Sequence, residues 1–373
     1  MHLKNTVINN KKIVMLNCMH FVSGIGRYGY ELARHIKYYN NNLLLYKPHS
    51  KNSSDAHYID IDWIKPIRYK SLKNLRPYIF PYFAAAAILN QNADVYHAHW
   101  FLGGLGMMYA RKKPLVITLH DASLLHIPEG DKKFIDFFAS TVKKFKKQEI
   151  PVIVVSETAK IDTINYANYP AELVHAVPNG IDFNFFKPIQ KITKEKFTII
   201  YTGGLGKRKN VDLILKAFQK LEKKYDFVEL KIAGSYPQYT IYPELANSLG
   251  LKNVIFTDFI PDDKMNEFYN EGDLMIYTSE YEGFGFAPLE AMACGVPVLC
   301  VNGGSLAEIS GGGTVHIEYD AEDIFLKAGK IIDDSEFRRT IILKGSEWVK
   351  QYTWDNTALK TMAVYEKAMM ARR

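Results

Sequence analysis

Two glutamates with seven residues between them, Glu282 and Glu290, flank a Gly-Phe-Gly turn in the last third of the chain. Gly283 and Gly285 allow the backbone to approach a ligand closely, and the Leu, Glu, Ala and Met residues after Pro288 favour a helix. The N–H groups at the start of such a helix attract phosphate. Carboxylates beside them accept hydrogen bonds from sugar hydroxyls. The pattern therefore predicts a site for a sugar nucleotide.

A run of three cations, Lys207-Arg208-Lys209, follows the glycine-rich turn Gly203-Gly204-Leu205-Gly206. Cations at a junction between a strand and a helix are well placed to hold a diphosphate. They also neutralise the charge that develops on a nucleoside diphosphate when it leaves. For Lys207 a solvated position at the start of a helix is an equally good interpretation.

A second glycine-rich turn lies near the N-terminus, where Gly24, Gly26 and Gly29 spell Gly-x-Gly-x-x-Gly before a helix. That spelling is typical of dinucleotide sites. Here, however, residues 19–23 separate the first glycine from its strand, and the second strand ends in Tyr46 instead of the acid that would hold a ribose. Hydride transfer is therefore disfavoured.

Histidines and aspartates at predicted strand ends form a third set of candidates. His120 and Asp121 follow one apolar run, while His97 and His99 belong to another. His97 and His99 suit a structural role as well as a functional one, and the three histidines lack the spacing of a zinc motif. The segment Asp60-Ile61-Asp62 has no context that fits a metal site, so we expect catalysis without a metal ion.

These residues must be positioned by a fold of the α/β class. Short apolar runs alternate with helical patterns along all 373 residues, which predicts six parallel strands with crossover helices in each half. A chain of this length exceeds what one core usually supports. We predict domains at residues 1–190 and 191–352, joined by a polar, lysine-rich stretch, and a final helix at 353–373.

Composition points to a folded cytoplasmic protein. Apolar residues make up 47% and charged residues 23%, and the three cysteines lie in apolar surroundings, so neither a disulfide framework nor a zinc cluster is expected. The N-terminus lacks the apolar core of a signal peptide. The longest apolar run, residues 79–89, is much shorter than the roughly 20 residues that cross a bilayer.

Much of the net charge of +7 is concentrated in two segments, residues 65–76 and 132–147. In the second segment, phenylalanines recur at helical spacing among lysines. Two interpretations remain open: peripheral contact with an anionic membrane surface, or a helix that packs its aromatic side on the domain and leaves its lysines in water. No recognition motif accompanies the charge, so a nucleic acid partner is not expected.

The acidic pair and its neighbours resemble the retaining nucleotide-sugar glycosyltransferases of family 4, and matching motifs extend over nearly the whole chain. The resemblance implies the GT-B fold, in which two Rossmann-like domains with doubly wound parallel sheets face a cleft. The first domain would bind the acceptor and the second the nucleotide sugar, while the C-terminal helix crosses back to the first domain.

The resemblance also implies roles for individual residues. Glu282 would act at the reacting sugar together with His120, and Asp121 would lie on the acceptor side. Lys209 matches the family's lysine, whereas Gly204 stands where arginine is usual, so Arg208 would supply the second cation. The other implied donor contacts are the diphosphate contacts Gly24 and Ile25, the phosphate-binding turn of Gly285, Phe286 and Ala287, the ribose ligand Glu290, and Phe259 beside the nucleobase.

The function implied is a retaining, metal-independent hexosyltransferase of polysaccharide biosynthesis that needs no cofactor besides its donor substrate. Mannose from a guanosine donor is the first expectation, with glucose or N-acetylglucosamine from a uridine donor second. The acceptor would be a glycan or a lipid-linked sugar, at the cytoplasmic face of the membrane or free in the cytoplasm. The alternatives are a sugar-nucleotide epimerase of the same fold and a membrane-docked protein that binds sugar nucleotides.

Overall fold

The computed structural model describes residues 8, 10–19, 24–40, 42–48, 58–61, 75–128, 130–190, 195–234 and 241–371. The chain divides into two compact units, one of Met1–Gly180 with Trp354–Arg373 and one of Ile181–Thr353.

The first unit alternates strands and helices. Its described strands are β1 (Ile13–Asn17), β2 (Leu43–Pro48), β3 (Tyr58–Ile61), β4 (Val95–His99), β5 (Leu115–His120), β6 (Val152–Val154) and β7 (Val174–Ala176). Its described helices are α1 (Gly24–Tyr39), α2 (Arg76–Ile88), α3 (Phe101–Tyr109), α4 (Ser123–His126), α5 (Lys132–Lys147), α6 (Glu157–Ala167) and, from the end of the chain, α14 (Trp354–Met370).

The strands of the first unit form a parallel sheet in the order β3-β2-β1-β4-β5-β6-β7. Every residue of β1, β4 and β5 is buried, as expected where helices cover both faces of a parallel sheet. The strand order reverses between β1 and β4, which are direct neighbours. Loops that follow such strands commonly hold ligands.

The second unit repeats the architecture. Its described strands are β8 (Phe197–Thr202), β9 (Val228–Ala233), β10 (Val254–Phe256), β11 (Leu274–Tyr277), β12 (Val298–Cys300) and β13 (Val315–His316). Its described helices are α7 (Val211–Lys224), α8 (Ile241–Ser248), α9 (Met265–Glu271), α10 (Phe286–Ala293), α11 (Leu306–Ile309), α12 (Ala321–Asp333) and α13 (Ser335–Val349).

The parallel sheet of the second unit has the order β10-β9-β8-β11-β12-β13. Its order reverses between β8 and β11, which pair in parallel. The prediction of two doubly wound parallel sheets is therefore confirmed. Strand β3 was not predicted.

Side-chain caps mark where several helices begin. Asp334 accepts a hydrogen bond from the Phe337 amide at 2.8 Å at the start of α13, and Ser156 accepts one from the Ala159 amide at 2.9 Å at the start of α6. Such caps satisfy amides that have no partner inside the helix.

The chain passes from the first unit to the second between Gly180 and Ile181, earlier than the boundary predicted at residue 190. The Ile181 amide donates to the carbonyl of Tyr352 at 2.9 Å. The Ile189 amide donates to Oδ1 of Asn270 at 2.9 Å. These two hydrogen bonds tie residues 181–190 to the second unit, whereas the predicted boundary rested on the polar, lysine-rich stretch at residues 187–196.

The basic helix α5 buries its apolar side. Phe138 packs edge-on against Phe101 of α3 with ring centroids 5.0 Å apart, and Phe145 is fully buried. The side chains of Lys143, Lys144 and Lys147 are exposed. The aromatic stripe is thus part of the core, and only the lysine face is open to a partner. In the other basic segment, residues 65–74 lie outside the described residues.

Candidate functional site

The strand reversal in the second sheet brings two loops together. Strand β8 leads into the glycine-rich turn and the cations, and its neighbour β11 leads into the loop that carries Glu282. The Thr278 hydroxyl donates to the carbonyl of Lys209 at 2.8 Å, and the Glu280 amide donates to the carbonyl of Arg208 at 2.8 Å. These bonds hold the basic loop, residues 203–210, and the acidic loop, residues 278–285, side by side.

Glu282 lies at the centre of this arrangement. Its Oε1 forms an ion pair with Nζ of Lys209 and accepts a hydrogen bond from the Tyr277 hydroxyl at 2.7 Å. Burial on its own would raise the pKa of the Glu282 carboxyl, but Lys209, Tyr277 and Arg208 together lower it below its usual value. Glu282 is therefore a carboxylate at neutral pH.

Arg208 supplies the second cation. Its Nη1 donates to the carbonyl of Tyr281, the residue before Glu282. One carboxylate thus lies beside two cations, Lys209 and Arg208. Two positive charges therefore lie close to the Glu282 carboxylate, and diphosphate binding by them stays a prediction.

The turn after Glu282 requires glycine. Gly285 has φ = 96°, and a Cβ at this position would lie 2.6 Å from Cδ2 of Leu306. Left-handed φ values favour glycine. Helix α10 begins directly afterwards, at Phe286 and Ala287, without a side-chain cap or an acid in its first turn. Its N-terminus therefore presents the positive end of the helix dipole.

The second acid of the pair is buried. Glu290 is 4% exposed, and its Oε2 accepts a hydrogen bond from the Tyr269 hydroxyl of α9 at 2.7 Å. The side chain of Phe259, in the loop after β10, is 58% exposed. The ribose and nucleobase contacts of these two residues stay predictions.

In the first unit, three histidines of β4 and β5 lie close together. His97 contacts the Tyr365 hydroxyl through Nδ1 at 2.6 Å and the Thr118 hydroxyl through Nε2 at 2.7 Å. Both ring nitrogens of His99 and Nε2 of His120 are buried without a hydrogen-bond partner among the described residues.

Burial decides the charge of this histidine cluster, which consists of His97, His99 and His120. Burial lowers the pKa of His120 to about 3, and burial together with the neighbouring His120 lowers the pKa of His97 to about 3. Burial, together with the neighbouring His97 and His120, also holds the pKa of His99 well below its usual value. A neutral His120 can donate one hydrogen bond and accept another, but it carries no positive charge at pH 7.

The backbone of His120 is unusual. Its φ of 69° lies in the left-handed region, which costs energy for a residue with a side chain. Asp121 follows, and its Oδ1 accepts a hydrogen bond from the Ser123 amide at 2.9 Å at the start of α4. Strain of this kind is common at functional positions.

The N-terminal glycine turn divides into two parts. Gly24 and Ile25 are the first residues of α1, and a Cβ on Gly24 would meet nothing within 4 Å. Gly29 lies inside the helix, where a Cβ would collide with Nδ1 of His99. Gly29 therefore serves helix packing, whereas the diphosphate contact of Gly24 stays a prediction.

Sequence reasoning missed the tyrosines that hold the acids. Tyr277 and Tyr269 donate hydrogen bonds to Glu282 and Glu290, yet in the sequence Tyr277 ends an ordinary apolar strand and Tyr269 lies in a short, mostly polar helix. The only signal for Tyr277 was its place as the last residue of the strand before the acidic loop.

No set of three metal-binding side chains comes together among the residues that the structure describes. Within the same residues, no helix combines the length and the apolar character that crossing a membrane requires.

Comparison with known proteins identifies the class. Residues 22–185 match the family described as Glycosyltransferase Family 4, and residues 182–348 match the family described as Glycosyl transferases group 1. The chain belongs to the family 4 glycosyltransferases, enzymes with the GT-B fold. An O-antigen chain mannosyltransferase B from Escherichia coli is 24% identical over 371 residues, which cover 92% of this chain and 96% of that protein.

Solved structures agree on the fold. A sucrose-phosphate synthase from Thermosynechococcus elongatus superimposes with a TM-score of 0.81 at 18% identity and covers 97% of this chain and 100% of its own. An Anabaena protein, HepE, in complex with UDP-glucose gives a TM-score of 0.70 at 19% identity, over 96% of this chain and 100% of its own.

Proposed function

We propose that this glycosyltransferase moves a hexose, with retention of anomeric configuration, from a nucleoside diphosphate sugar to a hydroxyl of a glycan or lipid-linked acceptor. The observation that carries the proposal is the Glu282–Lys209 pair at the strand reversal of the second unit. A carboxylate suited to sugar hydroxyls thus lies next to a cation suited to a diphosphate, and this supports the proposal.

The roles divide by charge. Lys209 and Arg208 hold the diphosphate, and the N–H groups of Phe286 and Ala287 at the start of α10 assist them. The Glu282 carboxylate accepts hydrogen bonds from the sugar. Neutralising the leaving group matters most because negative charge grows on it as the glycosidic bond breaks.

Same-face attack is the course of reaction that we propose. The bond between the anomeric carbon and the phosphate oxygen breaks, and the acceptor oxygen forms a bond to the same face of that carbon. The acceptor hydroxyl proton goes to an oxygen of the departing diphosphate. Neither an enzyme nucleophile nor a metal ion is needed, because Lys209 and Arg208 stabilise the departing charge.

Mannose is the sugar that we propose first. The support is the Escherichia coli relative, which is named as a mannosyltransferase and matches nearly the full chain. Glucose from a uridine donor comes second, because the Anabaena structure of the same fold contains UDP-glucose. In the first unit, we propose that the neutral His120 contacts the transferred sugar and that Asp121 lies towards the acceptor.

A thermal-shift panel tests the donor site. We expect one of GDP, GDP-mannose, UDP, UDP-glucose and UDP-N-acetylglucosamine to raise the melting temperature, because a ligand that binds only the folded state stabilises it. At 100 times its dissociation constant the gain is about 2.7 kcal/mol. The measurement is the melting temperature with and without nucleotide at about 1 mM.

Two lysine variants provide the matched pair for this panel. Lys209→Met is expected to abolish the nucleotide-dependent shift relative to its own ligand-free melting temperature. Lys216→Met should keep the shift, since Lys216 forms a surface ion pair with Asp212 within α7. Equal shifts in both variants would remove Lys209 from the donor site, and no shift with any nucleotide would contradict the proposed function.

Product analysis tests retention. The reaction contains the donor identified by the thermal-shift panel and an oligosaccharide acceptor. Proton nuclear magnetic resonance should detect a new glycosidic linkage with the anomeric configuration of the donor. EDTA should not stop the formation of this linkage. An inverted linkage would contradict same-face attack. A changed donor sugar without a new linkage would indicate epimerisation.

The lysine face of α5 is proposed to contact anionic membranes. Changing Lys143, Lys144 and Lys147 to glutamine should weaken binding to phosphatidylserine vesicles at least tenfold, because each basic residue near such a surface contributes about 1 kcal/mol. Vesicle sedimentation at low and high salt measures this. The exposed Lys216→Met variant is the control, and unchanged sedimentation of the triple variant would exclude the α5 face.

A further inference from the structure

Tyr277 is the last residue of β11 and is buried directly beneath the acidic loop. Its side chain is 4% exposed, and its hydroxyl lies 2.7 Å from Oε1 of Glu282. Neither the family resemblance nor the proposed reaction gives this residue a role.

The direction of this hydrogen bond is unambiguous. Burial, and then the nearby Glu282 carboxylate, raise the pKa of the Tyr277 phenol well above its usual value. The phenol therefore stays protonated and donates, and Glu282 accepts. Lys209 donates to the same oxygen, so both donors meet at Oε1, and no hydrogen bond to Oε2 occurs among the described residues.

The ring of Tyr277 is itself held in place. It stacks on Tyr201 of β8 with centroids 6.0 Å apart and an angle of 20° between the planes. The Tyr201 hydroxyl donates to the carbonyl of Gly204 at 2.8 Å. This tyrosine pair, Tyr201 and Tyr277, thus connects the glycine-rich turn that precedes the cations with the loop that carries Glu282.

We propose that Tyr277 is a positioning residue that fixes the orientation of the Glu282 carboxylate so that Oε2 is presented to the hydroxyls of the donor sugar. The inference rests on the proposed function and deepens it. Lys209 on its own cannot fix the carboxylate plane once a diphosphate competes for its charge, because an ammonium group is a point charge on a flexible stem. The phenol keeps its hydrogen bond in either case.

The variant Tyr277→Phe tests this, because it removes the hydroxyl and keeps the ring. We expect kcat/KM for the nucleotide sugar to fall about tenfold. Affinity for the matching nucleoside diphosphate, GDP or UDP, should stay within about twofold, because the cations remain. The acid limb of the pH profile should move to higher pH, since losing a donor raises the pKa of Glu282.

Tyr225→Phe is the matched control. The Tyr225 hydroxyl also donates to a carboxylate, Oδ2 of Asp333, at 2.7 Å, but it lies at the end of α7. This variant should keep the wild-type kcat/KM and acid limb. A double-mutant cycle adds a second criterion: in a Glu282→Gln background, Tyr277→Phe should have almost no further effect, because it acts through Glu282.

The outcomes separate the two proposals. If the wild-type enzyme transfers sugar and Tyr277→Phe keeps its kcat/KM and acid limb, the positioning role is refuted while the proposed function stands. Additive losses in the double-mutant cycle also refute the positioning role. So does a loss of nucleoside diphosphate affinity as large as the loss in kcat/KM, because it would indicate a merely structural role. If the wild-type enzyme turns over no nucleotide sugar, the proposed function fails, and the inference fails with it.

Discussion

Replacing Glu282 with glutamine is expected to lower kcat/KM for the nucleotide sugar at least tenfold, which corresponds to about 1.4 kcal/mol of barrier. Glutamine keeps the shape of the side chain but loses its charge, and with it the ion pair to Lys209. An amide also offers only one acceptor oxygen. Steady-state kinetics over a range of donor concentrations measures the loss.

The control for Glu282→Gln is Glu318→Gln, which removes an exposed carboxylate paired with His316 on the surface of the same unit. It should leave turnover unchanged. A melting temperature for each variant separates lost activity from lost folding. Near-normal kinetics for Glu282→Gln would refute its assignment to the reacting sugar.

Acid is expected to destabilise the first unit strongly, starting near pH 6.5. The folded-state pKa values of His97 and His120 are lowered to about 3, so the unfolded chain binds more protons between roughly pH 3 and 6.5. The stability that these neutral histidines contribute is therefore fully present above their pKa in the unfolded chain, and it is lost as the pH falls below that pKa. At pH 5 the loss is about 2 kcal/mol for each of these histidines.

Thermal melting between pH 8 and about pH 5 measures this loss of stability. The loss is a large share of a typical free energy of unfolding, which is roughly 5–15 kcal/mol. The variant His97→Gln should show a shallower decline than the wild-type protein, because one of the titrating groups is gone. His316→Gln, which removes an exposed histidine, should retain the wild-type slope. A melting temperature independent of pH over this range would contradict neutral burial of the histidine cluster.

The fold could be predicted from the sequence because parallel strands buried on both faces appear as short apolar runs between amphipathic helices. The missed strand, β3 at Tyr58–Ile61, carries alternating polar residues at an edge of the sheet. The unit boundary was misplaced for a different reason. The boundary was predicted from the polar, lysine-rich stretch at residues 187–196, but Asn270 binds the Ile189 amide, and composition does not reveal such a contact.

For the candidate site, sequence spacing identified the charged residues and glycines but not what holds them. The pairing of Glu282 with Lys209 depends on β8 and β11 being neighbours, and this follows from sheet order instead of distance along the chain. Tyr277 could not be singled out, because its hydroxyl gains significance only from its place beneath the acidic loop. The burial of Glu290 by Tyr269 was hidden for the same reason.

The first unit takes one of its helices from the far end of the chain. Helix α14 packs on α1, β4 and β5, and its Tyr365 completes the hydrogen bonds of His97. During synthesis on the ribosome, the surface of α1, β4 and β5 that α14 covers therefore stays uncovered while the second unit is translated. The first unit therefore cannot complete its packing until residues 354–370 have been synthesised.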